Sequence, residues 1–271
     1  MPELPEVETT RRGLLPHVVG RRVRDVVVRN ASLRWPVSPG LARRLRGERV
    51  ADIRRRGKYL LFDFPRGHLL VHLGMSGKLT LVPDDTPPKT HDHVDVLLEG
   101  ERALRLTDPR RFGAVLWLPQ PAESHVLLRA LGREPLEEGF DGAALEAAAR
   151  GRRIAVKQFL MNGQVVTGVG NIYASEALFH AGIHPARSVS RISRERWDRL
   201  AAAVRATLES ALAAGGTTLR DYASFDGHAG AFQDECAVYG REGLPCRACG
   251  TPIRALRQGQ RSTFYCPRCQ R

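Results

Sequence analysis

The C-terminal end of the chain carries the feature that most restricts its fold, two Cys-x2-Cys pairs. The pairs are Cys246–Cys249 and Cys266–Cys269, and 16 residues separate them. A spacer of that length is long enough for a β-hairpin that returns the second pair to the first, and four thiolates at about 2.3 Å complete a tetrahedral zinc site. We therefore expect one structural Zn ion with no open coordination position, in preference to four unliganded thiols or a redox pair.

The fifth cysteine and the arginines of the spacer do not belong to this metal site. Cys236 stands apart from the two pairs, and we expect a buried thiol rather than a reactive one. Between the pairs lie Arg254, Arg257 and Arg261. They either present cations to phosphate groups or form a solvated charged face, and the sequence favours neither interpretation.

The charge of the chain indicates a polyanionic partner. Forty-two Lys and Arg residues against 29 Asp and Glu leave a net charge of +13, and nucleic acid is the commonest polyanion that proteins bind. Five cysteines are too few for a secreted disulfide scaffold. No apolar run is long enough to span a membrane, and the acidic N-terminus lacks the apolar segment of a secretion signal. We expect a cytoplasmic, nucleoid-associated monomer.

Hydrophobic periodicity divides the chain into a strand-rich first part and a helical second part. Apolar and β-branched runs bounded by turn residues predict strands at Val23–Val28, Tyr59–Phe64, His68–Leu73, His93–Leu98 and Ala114–Leu118. Helical spacing predicts helices at Glu6–Leu14, Leu41–Leu45, Gly142–Arg150, Ile154–Met161, Ile172–His180 and Arg194–Ala214, the last ended by Gly215–Gly216. The short strands favour a β-sandwich or barrel, so the fold class is α+β. Thr217–Gln233 is expected to be either a mobile loop or an irregular connection.

The N-terminus offers a nucleophile if Met1 is removed. Pro2 would then carry a free secondary amine, and because an α-amino group has a pKa of about 8, much of it is unprotonated near neutral pH. Such an amine can attack a sugar C1′ atom and form an iminium. Glu3 and Glu6 are close enough in sequence to move protons, although acidic residues at this position also simply favour the start of a helix.

Several separated motifs give the chain a resemblance to the formamidopyrimidine-DNA glycosylases, a bacterial family of oxidised-purine DNA glycosylases and AP lyases. The resemblance covers essentially the whole chain. The motifs that carry it, besides the four cysteines, are Met1–Thr9, His72–Gly77, His91–Val94, Asp108–Gly113, Gly168–Tyr173 and Val238–Arg241.

The resemblance implies a three-part protein with DNA in the cleft between its parts. The parts are a catalytic β-sandwich domain with an N-terminal helix over residues 1–120, a helical domain with a helix–two-turns–helix element and a lesion-reading loop over 130–230, and a four-Cys zinc-finger hairpin over 236–271. It further implies base excision followed by β,δ-elimination at the emptied site. The implied catalytic residues are Pro2 as nucleophile, Glu3 as proton donor, Lys58 in β-elimination and Arg261 in δ-elimination.

The same resemblance implies a set of residues that contact double-stranded DNA containing oxidised purines. They are His91, Arg110, Arg153, Lys157 and Asn171, with Met75, Arg110 and Phe112 filling the gap left by the extruded nucleotide. Plainer roles remain open for some of them. Met75 and Phe112 could pack in the core, Asn171 could cap a helix, and the arginines before Lys58 could lie on a solvated or phosphate-facing edge strand.

Two other functions fit part of the sequence. An endonuclease VIII-type glycosylase shares the fold and the nucleophile but acts on oxidised pyrimidines. A zinc-finger DNA-binding protein without catalysis would explain the charge and the cysteines, yet it gives no reason for Pro2 and Glu3. The segment from Thr217 to Gly230, which resembles the base-reading loop at its start, is less distinctive in its middle and leaves the preference among damaged purines open.

Overall fold

A computed structural model describes residues 2–217 and 232–271. The chain divides into two compact units, an N-terminal unit of Met1–Arg129 and Ala214–Ala231 and a C-terminal unit of Ala130–Ala213 and Phe232–Arg271. Met1 and residues 218–231 lie outside the described residues, and with them lies nearly all of the loop expected between Thr217 and Gln233. In the part of the chain that is described, no helix is long and apolar enough to cross a membrane.

Two four-stranded antiparallel sheets form most of the N-terminal unit. The first has the order β1-β6-β7-β5 and the second has the order β2-β3-β4-β8. The strands are β1 (Val23–Val28), β2 (Asp52–Arg56), β3 (Tyr59–Phe64), β4 (Gly67–His72), β5 (Lys78–Pro83), β6 (Asp92–Leu98), β7 (Arg102–Thr107) and β8 (Ala114–Leu118). Both sheets contribute side chains to one buried apolar cluster, for example Val96 from β6 and Phe62 from β3. This confirms the sandwich, one of the two architectures that the strand pattern allowed.

Three of these strands, β2, β5 and β7, have no counterpart among the strands predicted from the sequence. In β2 only Ile53 is buried, and the other positions carry charges, so no apolar run marks the strand. In β7 the buried Arg105 interrupts the apolar pattern. Its guanidinium forms a bidentate pair with buried Asp95 of β6, with N···O distances of 2.9 and 2.8 Å. A satisfied ion pair therefore occupies core positions in β6 and β7. Apolar residues at these positions would have made β7 recognisable from the sequence.

Two helices belong to the sandwich unit, α1 (Leu4–Val18) and α2 (Leu41–Leu45). α1 packs against β2 and β3. Its N-terminus is stabilised by a capping box between Glu3 and Glu6 and by Pro5 in the first turn, which needs no hydrogen bond from its nitrogen there. This start lies two residues earlier than the sequence predicted, and it brings Glu3 to the cap of the helix.

The C-terminal unit combines helices with a two-stranded hairpin. Its elements are α3 (Gly142–Ala149), α4 (Val156–Leu160), α5 (Asn171–His180), α6 (Arg194–Ala213), α7 (Phe232–Glu235), β9 (Arg254–Gln258) and β10 (Arg261–Tyr265). The aromatic rings of Phe159 and Trp197 are 5.5 Å apart and bury α4 against α6. Gly142 approaches the backbone of Asp198 so closely that a Cβ atom would lie 2.5 Å from its nitrogen, so α3 and α6 pack in near contact. β9 and β10 pair in the spacer between the cysteine pairs, which confirms the predicted hairpin.

Candidate active site and nucleic-acid interface

The start of α1 places Pro2 and Glu3 in a buried position. Glu3 is 2% exposed, and its backbone N–H donates to Glu6 Oε2 at 2.7 Å. The other oxygen, Glu6 Oε1, accepts hydrogen bonds from the N–H and the Oγ1 of Thr217, both at 2.8 Å. The sequence suggested Glu6 only as a proton carrier. In the structure its carboxylate also connects the N-terminus to Thr217, the last residue described before position 218.

Lys58 lies in the turn between β2 and β3, beside the first turns of α1. Arg55 on β2 donates from Nε to Glu8 Oε2 at 3.1 Å and from Nη1 to the carbonyl of Gly57 at 3.0 Å. Burial acts to raise the pKa of Glu8, but hydrogen bonds from Arg11 and Arg12 outweigh it and hold that pKa below its usual value. An ionised Glu8 therefore connects the helix that follows Pro2 to the turn that carries Lys58.

Met75, Arg110 and Phe112 form a surface group that we call the wedge cluster. Met75 and Phe112 are each 38% exposed, which excludes core packing as their role. The Arg110 guanidinium carbon lies 4.8 Å from the centroid of the Phe112 ring, a cation–π contact. The turn at Gly74 approaches the β7–β8 loop so closely that a Cβ on Gly74 would lie 2.6 Å from the carbonyl carbon of Phe112. The structure therefore brings the three residues together from two loops.

The two histidines of the His91–Val94 motif have different environments. His91 is exposed at the start of β6, whereas His93 is buried, with its Nε2 at 2.9 Å from the carbonyl oxygen of Asp108. Their rings are 6.4 Å apart. Within the described ranges, four cysteines are the one group of His, Cys, Asp or Glu side chains placed to hold a metal ion. His91 is thus available for a partner, while His93 holds the Asp108 backbone.

Three predicted site residues of the C-terminal unit, Lys157, Asn171 and Arg261, line one cavity of about 240 Å³. Lys157 is 1% exposed, and its Nζ donates to Thr263 Oγ1 at 2.8 Å. Asn171 donates from Nδ2 to the carbonyl of Ser262 at 3.1 Å, while its Oδ1 is buried without a hydrogen-bond partner. The N-cap of α5 is Gly170, so the capping role considered for Asn171 is wrong. Both side chains instead hold the hairpin against α4 and α5.

The remaining predicted cations are exposed on the same unit. Arg153 lies in the loop between α3 and α4, on the wall of a second cavity of about 310 Å³. Arg261 pairs with Gln258, and Arg257 pairs with Ser262, so the two arginines project from opposite faces of the hairpin. All the arginines of the hairpin are solvent-exposed.

The four cysteines of the finger have the geometry of a tetrahedral metal site. Their Sγ atoms all lie within 4.8 Å of one another, with Cys246 and Cys269 at 4.0 Å and Cys249 and Cys266 at 3.5 Å. Ligands at about 2.3 Å from a tetrahedral zinc would be about 3.8 Å apart, so the residues fit this ion. Hydrogen bonds from Thr251 lower the pKa of Cys249 to about 6, whereas burial and hydrogen bonds with the neighbouring thiols raise that of Cys269 to about 12, so four thiolates at one point need a cation between them.

Cys236 is not part of this site. It is 1% exposed, its Sγ donates to the carbonyl of Phe232 at 3.6 Å, and burial raises its pKa to about 12. The expectation of a buried thiol is confirmed, and the raised pKa keeps this thiol protonated near neutral pH.

Glu176 of α5, which sequence reasoning missed, holds the chain where it enters the finger. Its carboxylate accepts hydrogen bonds from the backbone N–H groups of Ala237 at 2.7 Å, Val238 at 3.0 Å and Tyr239 at 2.8 Å. It is 1% exposed. No motif marks it, because its partners are backbone groups about 60 residues further along the chain.

Comparison with known proteins identifies the family. The chain matches the formamidopyrimidine-DNA glycosylase N-terminal domain over residues 1–115, the H2TH domain of the same enzymes over residues 131–223, and the zinc finger found in FPG and IleRS over residues 243–271. It is 56% identical to the formamidopyrimidine-DNA glycosylase of Methylococcus capsulatus and 59% identical to that of Aromatoleum aromaticum, each over 100% of both chains. The chain belongs to the formamidopyrimidine-DNA glycosylase family. It is therefore a DNA glycosylase and AP lyase of base excision repair.

Solved structures of this glycosylase family have the same fold. The Fpg protein of Thermus thermophilus is 40% identical, with a TM-score of 0.89 over 99% of this chain and 98% of that one. The Lactococcus lactis enzyme in complex with DNA containing an abasic site is 32% identical, with a TM-score of 0.92 over 99% of each chain. The family's finger domain and the four clustered thiols together make the predicted structural zinc ion part of this glycosylase.

Proposed function

We propose that this glycosylase removes oxidised purines, 8-oxoguanine and formamidopyrimidines, from double-stranded DNA through a Schiff base on Pro2. The strand is then cut by β,δ-elimination. The observation that carries the proposal is the start of α1, where Pro2 and Glu3 are buried together and Glu6 fixes the backbone of Glu3 through a hydrogen bond of 2.7 Å.

The surroundings of Pro2 suit an amine nucleophile. The positive end of the dipole of α1 disfavours a second positive charge, so it favours the neutral amine that attacks. As the amine bonds to C1′, the glycosidic nitrogen leaves with the bonding electrons and takes a proton from Glu3. The amine then loses its proton, and its lone pair forms the C1′=N bond of an iminium as the C1′–O4′ bond breaks and O4′ takes up a proton, which opens the sugar. Removal of a C2′ proton then expels the 3′ phosphate, and a further elimination expels the 5′ phosphate.

In this proposal the positive charges of Lys58 and Arg261 act in the two elimination steps. Lys58 lies in a turn that Arg55 and Glu8 connect to α1, which supports a role in β-elimination. Arg261 is exposed on the finger hairpin, which suits contact with a departing phosphate and supports the role in δ-elimination. His91, Arg153, Lys157 and Asn171 stay predictions as DNA contacts.

The wedge cluster supports extrusion of the damaged nucleotide. Turning a base out of a duplex costs a few kcal/mol, and apolar side chains inserted into the gap offset that cost. Met75 and Phe112 are exposed apolar side chains without a packing role. Arg110 lies over Phe112 and offers hydrogen-bond donors to the base left without a partner.

The substrate class is supported by the relatives. The similar curated enzymes are named for formamidopyrimidine, and a variant of the Lactococcus lactis enzyme, 32% identical with a TM-score of 0.93, has been solved with DNA containing Fapy-dG. This favours oxidised purines over the oxidised pyrimidines of endonuclease VIII-type enzymes. The three-part division at 1–120, 130–230 and 236–271, the monomeric state and the nucleoid location in the cytoplasm belong to the same proposal.

Borohydride trapping on duplex DNA containing 8-oxoguanine tests the nucleophile. The iminium is reduced to a stable protein–DNA adduct, and peptide mapping is expected to place the DNA on Pro2 in protein from which Met1 has been removed. Protein that retains Met1 should give no adduct, because its Pro2 nitrogen is a tertiary amide. An adduct on Lys58 would overturn the assignment.

Three further measurements test the proton donor and the alternative functions. Glu3→Gln keeps the amine and the size of the side chain but removes the proton donor, so it should bind lesion DNA and excise slowly. Comparison of 8-oxoguanine with an oxidised pyrimidine in otherwise identical duplexes distinguishes the endonuclease VIII type. Failure to nick DNA at an abasic site would favour a binding module without catalysis.

A further inference from the structure

His72, the last residue of β4, lies between the two segments of the wedge cluster. Its ring Nδ1 accepts a hydrogen bond from the backbone N–H of Gly74 at 3.1 Å. Gly74 has a φ of +66° and begins the turn that presents Met75. The backbone carbonyl of His72 lies against Gly113, where a Cβ atom would be only 2.6 Å from its oxygen. One residue therefore contacts the backbone next to Met75 and the backbone next to Phe112.

The environment of His72 keeps its imidazole neutral. A ring nitrogen that accepts from an N–H group is unprotonated, so in the neutral tautomer the hydrogen is on Nε2. The ring is half-buried beside Tyr59, its partner across the strands, with 4.8 Å between the ring centroids. Burial and the positive charges of Lys58 and Arg34 lower the pKa of His72 to about 4. Nδ1 therefore remains an acceptor at neutral pH.

We propose that His72 is a positioning residue for base extrusion, because its Nδ1 fixes the Gly74 turn and thereby the position of Met75 beside Phe112. The proposal rests on the function of the wedge cluster given above. His72 makes no contact with DNA in this role. Its loss should slow the steps that need the wedge and leave cleavage at an already emptied site almost unchanged.

A matched pair of substitutions isolates the acceptor atom. His72→Asn and His72→Leu give side chains of nearly the same shape, and only asparagine offers an oxygen where Nδ1 lies. We expect His72→Leu to excise 8-oxoguanine from duplex DNA on the order of tenfold more slowly in single turnover, since the Gly74 N–H loses its partner. His72→Asn should retain most of the rate. On a preformed abasic site both variants should cleave within about twofold of the wild type.

Met75→Ala, assayed on the same two substrates, separates this proposal from the wedge function. If Met75→Ala slows both substrates equally, the wedge function fails. If Met75→Ala slows only excision and His72→Leu does not, the role of His72 is overturned while the wedge function stands. Equal slowing of both substrates by His72→Leu, or equal behaviour of the Asn and Leu variants, also overturns it.

The tautomer can be tested in the wild-type protein, even if a variant fails to fold. ¹⁵N chemical shifts of the His72 ring at neutral pH are expected to show an unprotonated Nδ1 and a protonated Nε2. A hydrogen on Nδ1 would overturn the proposal, because that nitrogen could not then accept from Gly74.

Discussion

Several polar side chains of this protein accept hydrogen bonds from backbone N–H groups of turns and connecting segments. Glu6 accepts from the N–H of Thr217, His72 from that of Gly74, and Glu176 from three successive N–H groups. Each of these acceptors satisfies donors that would otherwise be buried without a partner, and an unsatisfied buried donor costs about 1–3 kcal/mol. Single side chains therefore fix the backbone geometry of these segments.

His72 gives a pH dependence that can be measured. The unperturbed pKa of histidine is 6.5 and that of His72 is about 4, so between these values the unfolded chain binds a proton that the folded protein does not. The free energy of unfolding contributed by this residue should therefore fall as the pH drops from about 6.5 towards 4. Chemical denaturation of the wild type and His72→Asn across this range should show a difference that changes with pH. Parallel curves would contradict the prediction.

Residues whose chemistry is local could be predicted from the sequence, and residues that connect segments could not. The four cysteines follow from spacing alone, because ligands to one ion must come in closely spaced pairs. The sequence could not show that Met75 and Phe112 are exposed or that the ammonium group of Lys157 is buried. Exposure and burial depend on how the rest of the chain packs around these side chains. Glu176 has no marker, because any residue except proline can supply its backbone partners, and His72 stood in a motif that gave it no role.

At the scale of elements, several strands and most helices were predicted closely, while β2, β5 and β7 were missed. β3 and β8 begin and end where alternation predicted. β2 was missed because charged side chains occupy four of its five positions, and β7 because Arg105, paired with Asp95, replaces an apolar contact in the core. Tertiary pairing thus formed strands where local pattern gave no indication.

The loops between the strands yield a prediction about extrusion. Met75→Ala and Phe112→Ala should each slow excision of stacked 8-oxoguanine at least about tenfold more than cleavage at an abasic site, because the abasic site has no base to unstack. Single-turnover rates on the two substrates measure this. Val126→Ala is the matched control, since Val126 is an apolar side chain of the same unit that is 50% exposed, and its rates should be unchanged. Equal slowing on both substrates would contradict the wedge function.

At the scale of the whole molecule, metal binding, folding of the finger and DNA affinity should be coupled. The hairpin β9–β10 and its cysteines have a small apolar cluster of their own that includes Val238 and Ile253, so the zinc–thiolate bonds supply much of the energy that folds the finger. The net charge of +13 implies that phosphate contacts dominate DNA affinity and that salt weakens it.

Cys249→Ser should therefore lose zinc and DNA affinity together, as measured by metal analysis and by titration of lesion DNA. Arg261→Ala is the comparison variant, because arginine is not a zinc ligand. It should keep one zinc per chain while its DNA affinity and the salt dependence of that affinity decrease. Full activity of a metal-free Cys249→Ser protein, or loss of zinc from Arg261→Ala, would show that the finger does not act in this way.

The hydrogen bonds from residues 237–239 to Glu176 leave the sequence of the finger free to vary between related proteins. The carboxylate accepts hydrogen bonds from the backbone N–H groups of residues 237–239, so these bonds depend on the backbone at the three positions and not on the side chains there. Every amino acid except proline can supply that N–H. A finger taken from a distant relative and joined at residues 237–239 should still be held by these hydrogen bonds. This requires that Glu176 is kept and that none of the three positions carries proline.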